Sequence, residues 1–274
     1  MELLINPSSQ AALTAYGKRP GQGLLLYGLQ GVGLRTIAEQ TARQTSTNTS
    51  LITIMSDEKD KISIETIHEL TPKLRSVRKK QPLTIIIDDA DLMTKPAQDA
   101  FLKSLEEPGE GIYFILTSHQ PDSLLATVTS RLARVEIRPV SASDSRQLIT
   151  RLGRFDDRTV SQLLFLASGR PAELTRLASD PAYFEARAKL FGDAKSMMGA
   201  NTYDRLKIVS RYDKSRPQAI ELLSSMLEVI KFSLLSQRDI SQAGLVQPIE
   251  QTINNLRRNG HIRTQLNHLV AQWP

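Results

Sequence analysis

Leu83-Thr84-Ile85-Ile86-Ile87-Asp88-Asp89-Ala90-Asp91 is the stretch on which the fold turns. Five residues suited to extended backbone run without polar alternation and stop at acids. A continuous apolar run of this length reads as a strand buried on both faces, which points to a parallel sheet covered by helices. The acids that follow matter equally. Ligand sites of open parallel sheets lie outside the carboxyl ends of the strands, where Asp88 and Asp89 stand.

Working outward, the same pattern recurs. Leu24-Leu25-Leu26-Tyr27, Leu51-Ile52-Thr53-Ile54-Met55, Ile112-Tyr113-Phe114-Ile115-Leu116 and Ala133 to Ile137 read as four more strands. Between them, residues 35–44, 63–80, 96–106 and 124–132 carry helical spacing, the third stopping before Pro108. Strands alternating with helices predict an α/β domain over residues 1–138. After Pro139 the strand signal ends. Short helices are expected over 143–152, 157–167 and 171–177, then further helices over 181–199, 203–211, 218–235 and 245–273, the last broken near Gly260. The organisation read from this is an α/β domain, a small helical domain over 139–185 and a terminal helical domain over 186–274.

Composition bounds the function. The chain has 274 residues, 40% of them hydrophobic and 23% charged, in the ordinary globular range. It has no Cys, which excludes disulfides, thiolate zinc sites and a Cys nucleophile. No run of 18 apolar residues suggests a membrane span. The opening MELLINPSSQ lacks the basic and apolar regions of a signal peptide, so a cytoplasmic location is expected. The net charge of +6 arises in residues 186–274, which hold 13 Lys and Arg against 7 Asp and Glu. Such an excess suits nucleic acid or an acidic partner, and equally a solvated helix face.

The turn after the first strand is Gly28-Leu29-Gln30-Gly31-Val32-Gly33-Leu34-Arg35-Thr36. A glycine-rich turn between strand and helix lets backbone N–H groups face phosphate. The phosphate-loop pattern ends Gly-Lys-Ser/Thr. Here Leu34 stands at the lysine position and Arg35 at the metal-holding hydroxyl position. Leucine carries no charge for the phosphates, and arginine cannot ligate magnesium. Thr36 comes one place late and is turned about 100° away along the helix. Gly28, Gly31, Gly33, Asp88 and Asp89 therefore mark a degenerate nucleotide site, expected to be inactive, with ATP binding doubtful.

The run Ile87 to Thr94, followed by Ala97-Gln98-Asp99-Ala100-Phe101-Leu102-Lys103-Ser104-Leu105-Glu106-Glu107-Pro108, resembles the AAA+ clamp-loader family. In that family a strand, a short turn and a Ser-Arg-Cys motif follow; here they are Tyr113 to Leu116, Gln120-Pro121 and Ser130-Arg131-Leu132. The match extends over residues 23–138. Within the family the chain most resembles the delta-prime type of bacterial DNA polymerase III clamp-loader subunit, which typically carries a degenerate phosphate loop. The resemblance implies a RecA-like sheet domain, a helical lid over 139–185 and a helical collar over 186–274. It further implies a subunit without catalysis of its own in a five-membered ring that loads a sliding clamp onto primed DNA. Its partners would be clamp-loader ATPase subunits, the delta subunit, the clamp and DNA, with no membrane. Arg131, with Ser130 beside it, would be an arginine finger offered in trans to a neighbouring ATP site. Without the finger role, Arg131 would be an ion pair at a helix end, with Glu136 or a carbonyl as partner.

The chain departs from the family at several points. Leu132 replaces the Cys, and the four-Cys zinc module cannot exist, its place being taken by Ala42 to Ser50. The first-sensor position maps to Ser118 or His119. Arg170, in Ser168-Gly169-Arg170-Pro171-Ala172, lies near the second-sensor position. Two other readings stay open: an active AAA+ ATPase subunit of the gamma/tau type with an atypical loop, and a nucleic-acid-binding protein acting through the basic last third.

Overall fold

A computed structural model describes residues 4–45, 50–57, 61–70, 72, 82–234 and 241–273. The described elements of the first part are α1 (Pro7–Lys18), β1 (Gly23–Gly28), α2 (Leu34–Thr45), β2 (Ser50–Ile54), α3 (Ile64–His68), β3 (Leu83–Ile87), α4 (Lys95–Glu106), β4 (Ile112–Ser118), α5 (Ala126–Thr129) and β5 (Ala133–Ile137). The five strands form one sheet in the order β2-β3-β4-β1-β5, and every pairing is parallel. All carboxyl ends therefore lie at one edge. Ile87 pairs with Leu116 and Tyr27 with Ser118, so Gly28, Asp88 and the end of β4 are neighbours there.

The continuous apolar strands are buried on both faces as their sequences require. β3 is buried at all five positions. On one face Leu25, Ile85, Ile87, Phe114 and Leu116 pack against Ala97 and Phe101 of α4. Phe101 meets Phe114 edge to face, with ring centroids 5.1 Å apart. On the other face Leu24, Leu26, Ile86 and Ile115 pack with Leu34, Ile37 and Ala38 of α2 and Leu13 of α1. Each fully buried side chain of this size contributes about 1.5–3 kcal/mol before entropy is counted.

Two local differences from the sequence reading have physical causes. Helix α1 lies where the sequence reading places no element. Its Ala, Ser, Thr and Gln residues give almost no apolar stripe, although Asn6 capping Ser8 with Pro7 in the first turn is an N-terminal signal. The helix expected over 124–132 is reduced to α5, because Pro121 starts a 3₁₀ turn and Leu124 is extended. The helix expected over 63–80 is seen as α3, and its later part lies outside the described residues; of the expected 42–50 link, 42–45 belong to α2 and 46–49 lie outside the described residues.

The lid helices are α6 (Ala142–Leu152), α7 (Asp157–Ala167) and α8 (Pro171–Ser179). Ser141 and Asp144 form a capping box on α6, and Asp156 caps α7. The terminal elements are α9 (Pro181–Gly199), α10 (Thr202–Val209), α11 (Arg216–Phe232), α12 (Val246–Arg257) and α13 (Ile262–Ala271).

Contacts divide the chain into two compact units, residues 1–179 and 180–274. This division falls six residues before the border expected at 185/186. Asp180 caps α9 and Pro181 occupies its first turn, so the helix starts there and runs unbroken through 185/186. The expected border at 138/139 lies inside the first unit. The second unit has its own core of Ala194, Met197, Leu222, Leu223, Met226, Ile249, Leu256 and Leu266.

Candidate functional site

The degenerate loop leaves β1 at Gly28 and enters α2 at Leu34. Within it Gly31 and Gly33 have φ of +88° and +93°, which L residues adopt only at a cost. The two signature side chains do something else. Leu34 is 3% exposed and belongs to the core against Leu13, Leu24, Leu26 and Ile37. Arg35 is half exposed and turns toward the acidic strand end. Its Nε lies 3.2 Å from Glu39 Oε1 and 4.0 Å from Asp88 Oδ2, and its Nη1 lies 3.3 Å from the sulfur of Met55. A guanidinium thus faces Asp88 from the position whose hydroxyl would otherwise hold a metal.

Asp88 is held from its other side. The Thr117 hydroxyl donates to Asp88 Oδ1 at 2.7 Å and accepts from the Asp89 N–H at 2.9 Å. Thr117 is therefore the β4 residue that touches the acid, one place before the positions singled out in the sequence. Ser118 instead accepts from the Gln120 N–H. His119 spans the loop and the acids: its Nδ1 is 2.8 Å from the Gly28 carbonyl and its Nε2 is 3.4 Å from Asp89 Oδ1. A carbonyl only accepts, so Nδ1 carries a proton and Nε2 is the nitrogen presented to Asp89. Asp89 has φ +49° and follows the strand in a left-handed turn. Burial pushes its carboxyl above the ordinary value; His119 opposes this, and the charges of Asp88 and Asp91 add to it.

The lid closes on the loop. The N–H groups of Ala172 and Glu173, in the first turn of α8, both donate to the Gly31 carbonyl, at 2.9 and 3.0 Å. A Cβ on Gly31 would lie 2.8 Å from the Cβ of Glu173, so only glycine permits this approach. Arg170 does not reach toward the acids. It is 9% exposed, and its Nε and Nη2 donate to the carbonyls of Ala167 and Leu166 at 2.8 and 2.9 Å, closing the end of α7.

Two groups that a magnesium nucleotide draws on, the loop lysine and the metal-holding hydroxyl, are missing from these residues. The cation that would neutralise phosphate is replaced by a buried leucine, a guanidinium stands beside Asp88, and the lid's first turn is spent on the loop carbonyl. Among the described residues no group of three or more His, Asp and Glu is arranged to hold a metal.

Ser130 and Arg131 follow α5 and lie outside this cluster of contacts. Arg131 is exposed; its Nη2 donates to Glu106 Oε1 and its Nη1 to the Thr127 carbonyl, both at 2.7 Å. Ser130 Oγ donates to the same carbonyl at 3.2 Å. Glu136, a candidate partner in the sequence, pairs with Arg138 instead. Leu132 is buried against Gly23, where a Cβ would come within 2.4 Å of its side chain. One residue the sequence reading does not single out is Gln98. It is 2% exposed, accepts from the Leu125 N–H at 2.7 Å, and donates to the carbonyls of Met93 and Ser123 at 3.2 and 3.4 Å. It ties α4 to the segment carrying Arg131. An amide on the apolar face of α4 is the signal that could have found it.

The sequence model of the DNA polymerase III, delta subunit family matches residues 35–141, which run from Arg35 through the acidic strand end to the segment after Arg131. Over these residues the chain is similar to DNA polymerase III clamp-loader subunits. It is 42% identical over 74 residues to the DNA polymerase III subunit delta' of Yersinia pestis, a match covering 27% of this chain and 22% of that one. It is 26% identical over 221 residues to the subunit delta' of Pseudomonas aeruginosa, covering 71% and 67%. It is 26% identical over 153 residues to the subunit tau of Bacillus subtilis, covering 52% and 27%. The match to the Yersinia protein thus spans only about a fifth of that relative's length. The fold is also that of a DNA polymerase III gamma subunit-related protein from Thermotoga maritima, with a TM-score of 0.56 at 18% identity, covering 96% of this chain and 97% of that one.

Proposed function

We propose that the chain is a stator-like, delta-prime-type clamp-loader subunit that hydrolyses no ATP and lends Arg131 to the ATP site of a neighbouring subunit. The observation that carries this reading is the loop without its phosphate and metal groups, with Leu34 in the core, Arg35 facing Asp88 and the first turn of α8 bonded to the Gly31 carbonyl. These features support a site that does not turn over ATP, and Arg131 is exposed on a short surface turn. A guanidinium donated in trans neutralises charge on the transferring phosphoryl group and is worth roughly 10³–10⁵ in rate where it has been measured.

In this reading the partners are clamp-loader ATPase subunits and a delta subunit, with the sliding clamp and primed DNA met within the cytoplasmic complex. Residues 180–274 would serve as the collar. The chain would carry neither nucleotide nor zinc. The gamma/tau alternative would need the loop contacts to be undone. Direct DNA binding by the basic last third gains no support from its side chains: Arg187, Arg211 and Arg263 face Glu221, Asp193 and Asp213, and Arg205 lies over Trp273.

The test is Arg131→Ala in the complex reconstituted with the ATPase and delta subunits of the same organism. Assembly is expected to survive and DNA-stimulated ATPase to fall at least 10-fold; unchanged ATPase would refute the finger role. Turnover by the isolated wild-type chain, abolished by Asp88→Ala, would establish the motor reading instead.

A further inference from the structure

Arg131 is held by two bonds to its own subunit. Nη2 donates to Glu106, the last residue of α4, and Nη1 to the carbonyl of Thr127 in α5. A guanidinium has five N–H donors in one plane. Two anchors on different nitrogens restrain that plane and leave the remaining donors for another ligand. Free in solvent, an arginine at this place would have to surrender its rotamer freedom on each encounter with phosphate. The anchor itself is well placed, since α4 is fixed by the burial of Ala97, Gln98 and Phe101 against the sheet.

We propose that Glu106 is a positioning residue for Arg131, its carboxylate orienting the guanidinium toward the phosphate of a neighbouring subunit. This rests on the trans-finger reading. It also gives the run ending Leu105-Glu106-Glu107-Pro108 a physical role, because the helix end supplies an acceptor for the arginine 25 residues later. Because Glu106 acts through orientation, the acceptor matters more than the charge.

The test is steady-state ATPase of the reconstituted complex carrying Glu106→Ala, Glu106→Gln or Arg131→Ala, with assembly checked by size. Glu106→Ala is expected to lower kcat roughly 2- to 10-fold, the worth of ordering one flexible side chain, with KM for ATP unchanged. Glu106→Gln keeps an acceptor and is expected to stay near the wild type. If Arg131→Ala abolishes stimulation while Glu106→Ala does nothing, the positioning role fails and the finger stands. An increase in both Glu106 variants would show a competing carboxylate and overturn the proposal. So would equal losses in Ala and Gln. If Arg131→Ala has no effect, the finger reading itself fails, and the proposal with it.

Discussion

Gly31→Ala separates a lid docked on the loop from a lid that merely lies near it. Two costs enter. Gly31 has φ +88°, and a left-handed L residue costs about 1–2 kcal/mol. The added Cβ would also lie 2.8 Å from the Cβ of Glu173, so the first turn of α8 must withdraw. Withdrawal breaks the two N–H bonds to the Gly31 carbonyl, about 1 kcal/mol each. Gly33→Ala is the control. Its φ is +93°, so it carries the same backbone strain, but its Cβ would stand 3.6 Å from Ala172, an ordinary contact. Backbone strain persists whether the lid is open or closed, whereas the clash is relieved on opening. The difference should therefore appear locally. Hydrogen exchange read at the Ala172 and Glu173 amides should be faster in Gly31→Ala than in Gly33→Ala by about 30-fold, from roughly 2 kcal/mol of lost closure. In the wild type, magnesium ATP should leave the protection of these amides unchanged. Equal protection in the two variants would refute the docking argument. Loss of wild-type protection on adding ATP would show that phosphate displaces the lid.

Two further outcomes follow from the loop and the acids. Leu34→Lys, which restores the phosphate-loop lysine in sequence, should not restore hydrolysis; it should destabilise the first unit by about 1.5–3 kcal/mol, because the leucine it removes is core. ATP turnover measured beside thermal unfolding checks both halves. Asp89→Asn should raise the melting temperature at pH 7. The folded carboxyl titrates above its ordinary 3.8, so between 3.8 and the raised value the folded state holds more protons and stability falls as pH rises. The neutral amide escapes this loss and suits φ +49°. The gain should shrink as pH is lowered through the folded value and level off below 3.8; a gain that grows on acidification would reverse the assigned sign.

Much of this molecule is written locally in its sequence. The strands are continuous apolar runs because both faces of a parallel sheet are covered, and that pattern needs no knowledge of the neighbours. Helix starts are equally local, since Ser141, Asp156 and Asp180 cap N–H groups two or three residues away. The absence of the lysine and hydroxyl at Leu34 and Arg35 is visible from spacing alone, as is the run through Glu106-Glu107-Pro108 that carries the resemblance to clamp loaders. What those side chains then do is not legible there. Arg35 meeting Asp88, the Ala172 and Glu173 N–H groups meeting Gly31, and Arg131 meeting Glu106 all join residues 25 to 142 positions apart. Such meetings are set by strand order and by where each helix lands on the sheet. Arg170 makes the point at shorter range. Its sequence context places it near the second-sensor position, but the turn at Gly169 brings it back onto the last carbonyls of α7, whose lone pairs needed donors. Chemistry at each position is a property of the residue; which partner answers it is a property of the packed chain.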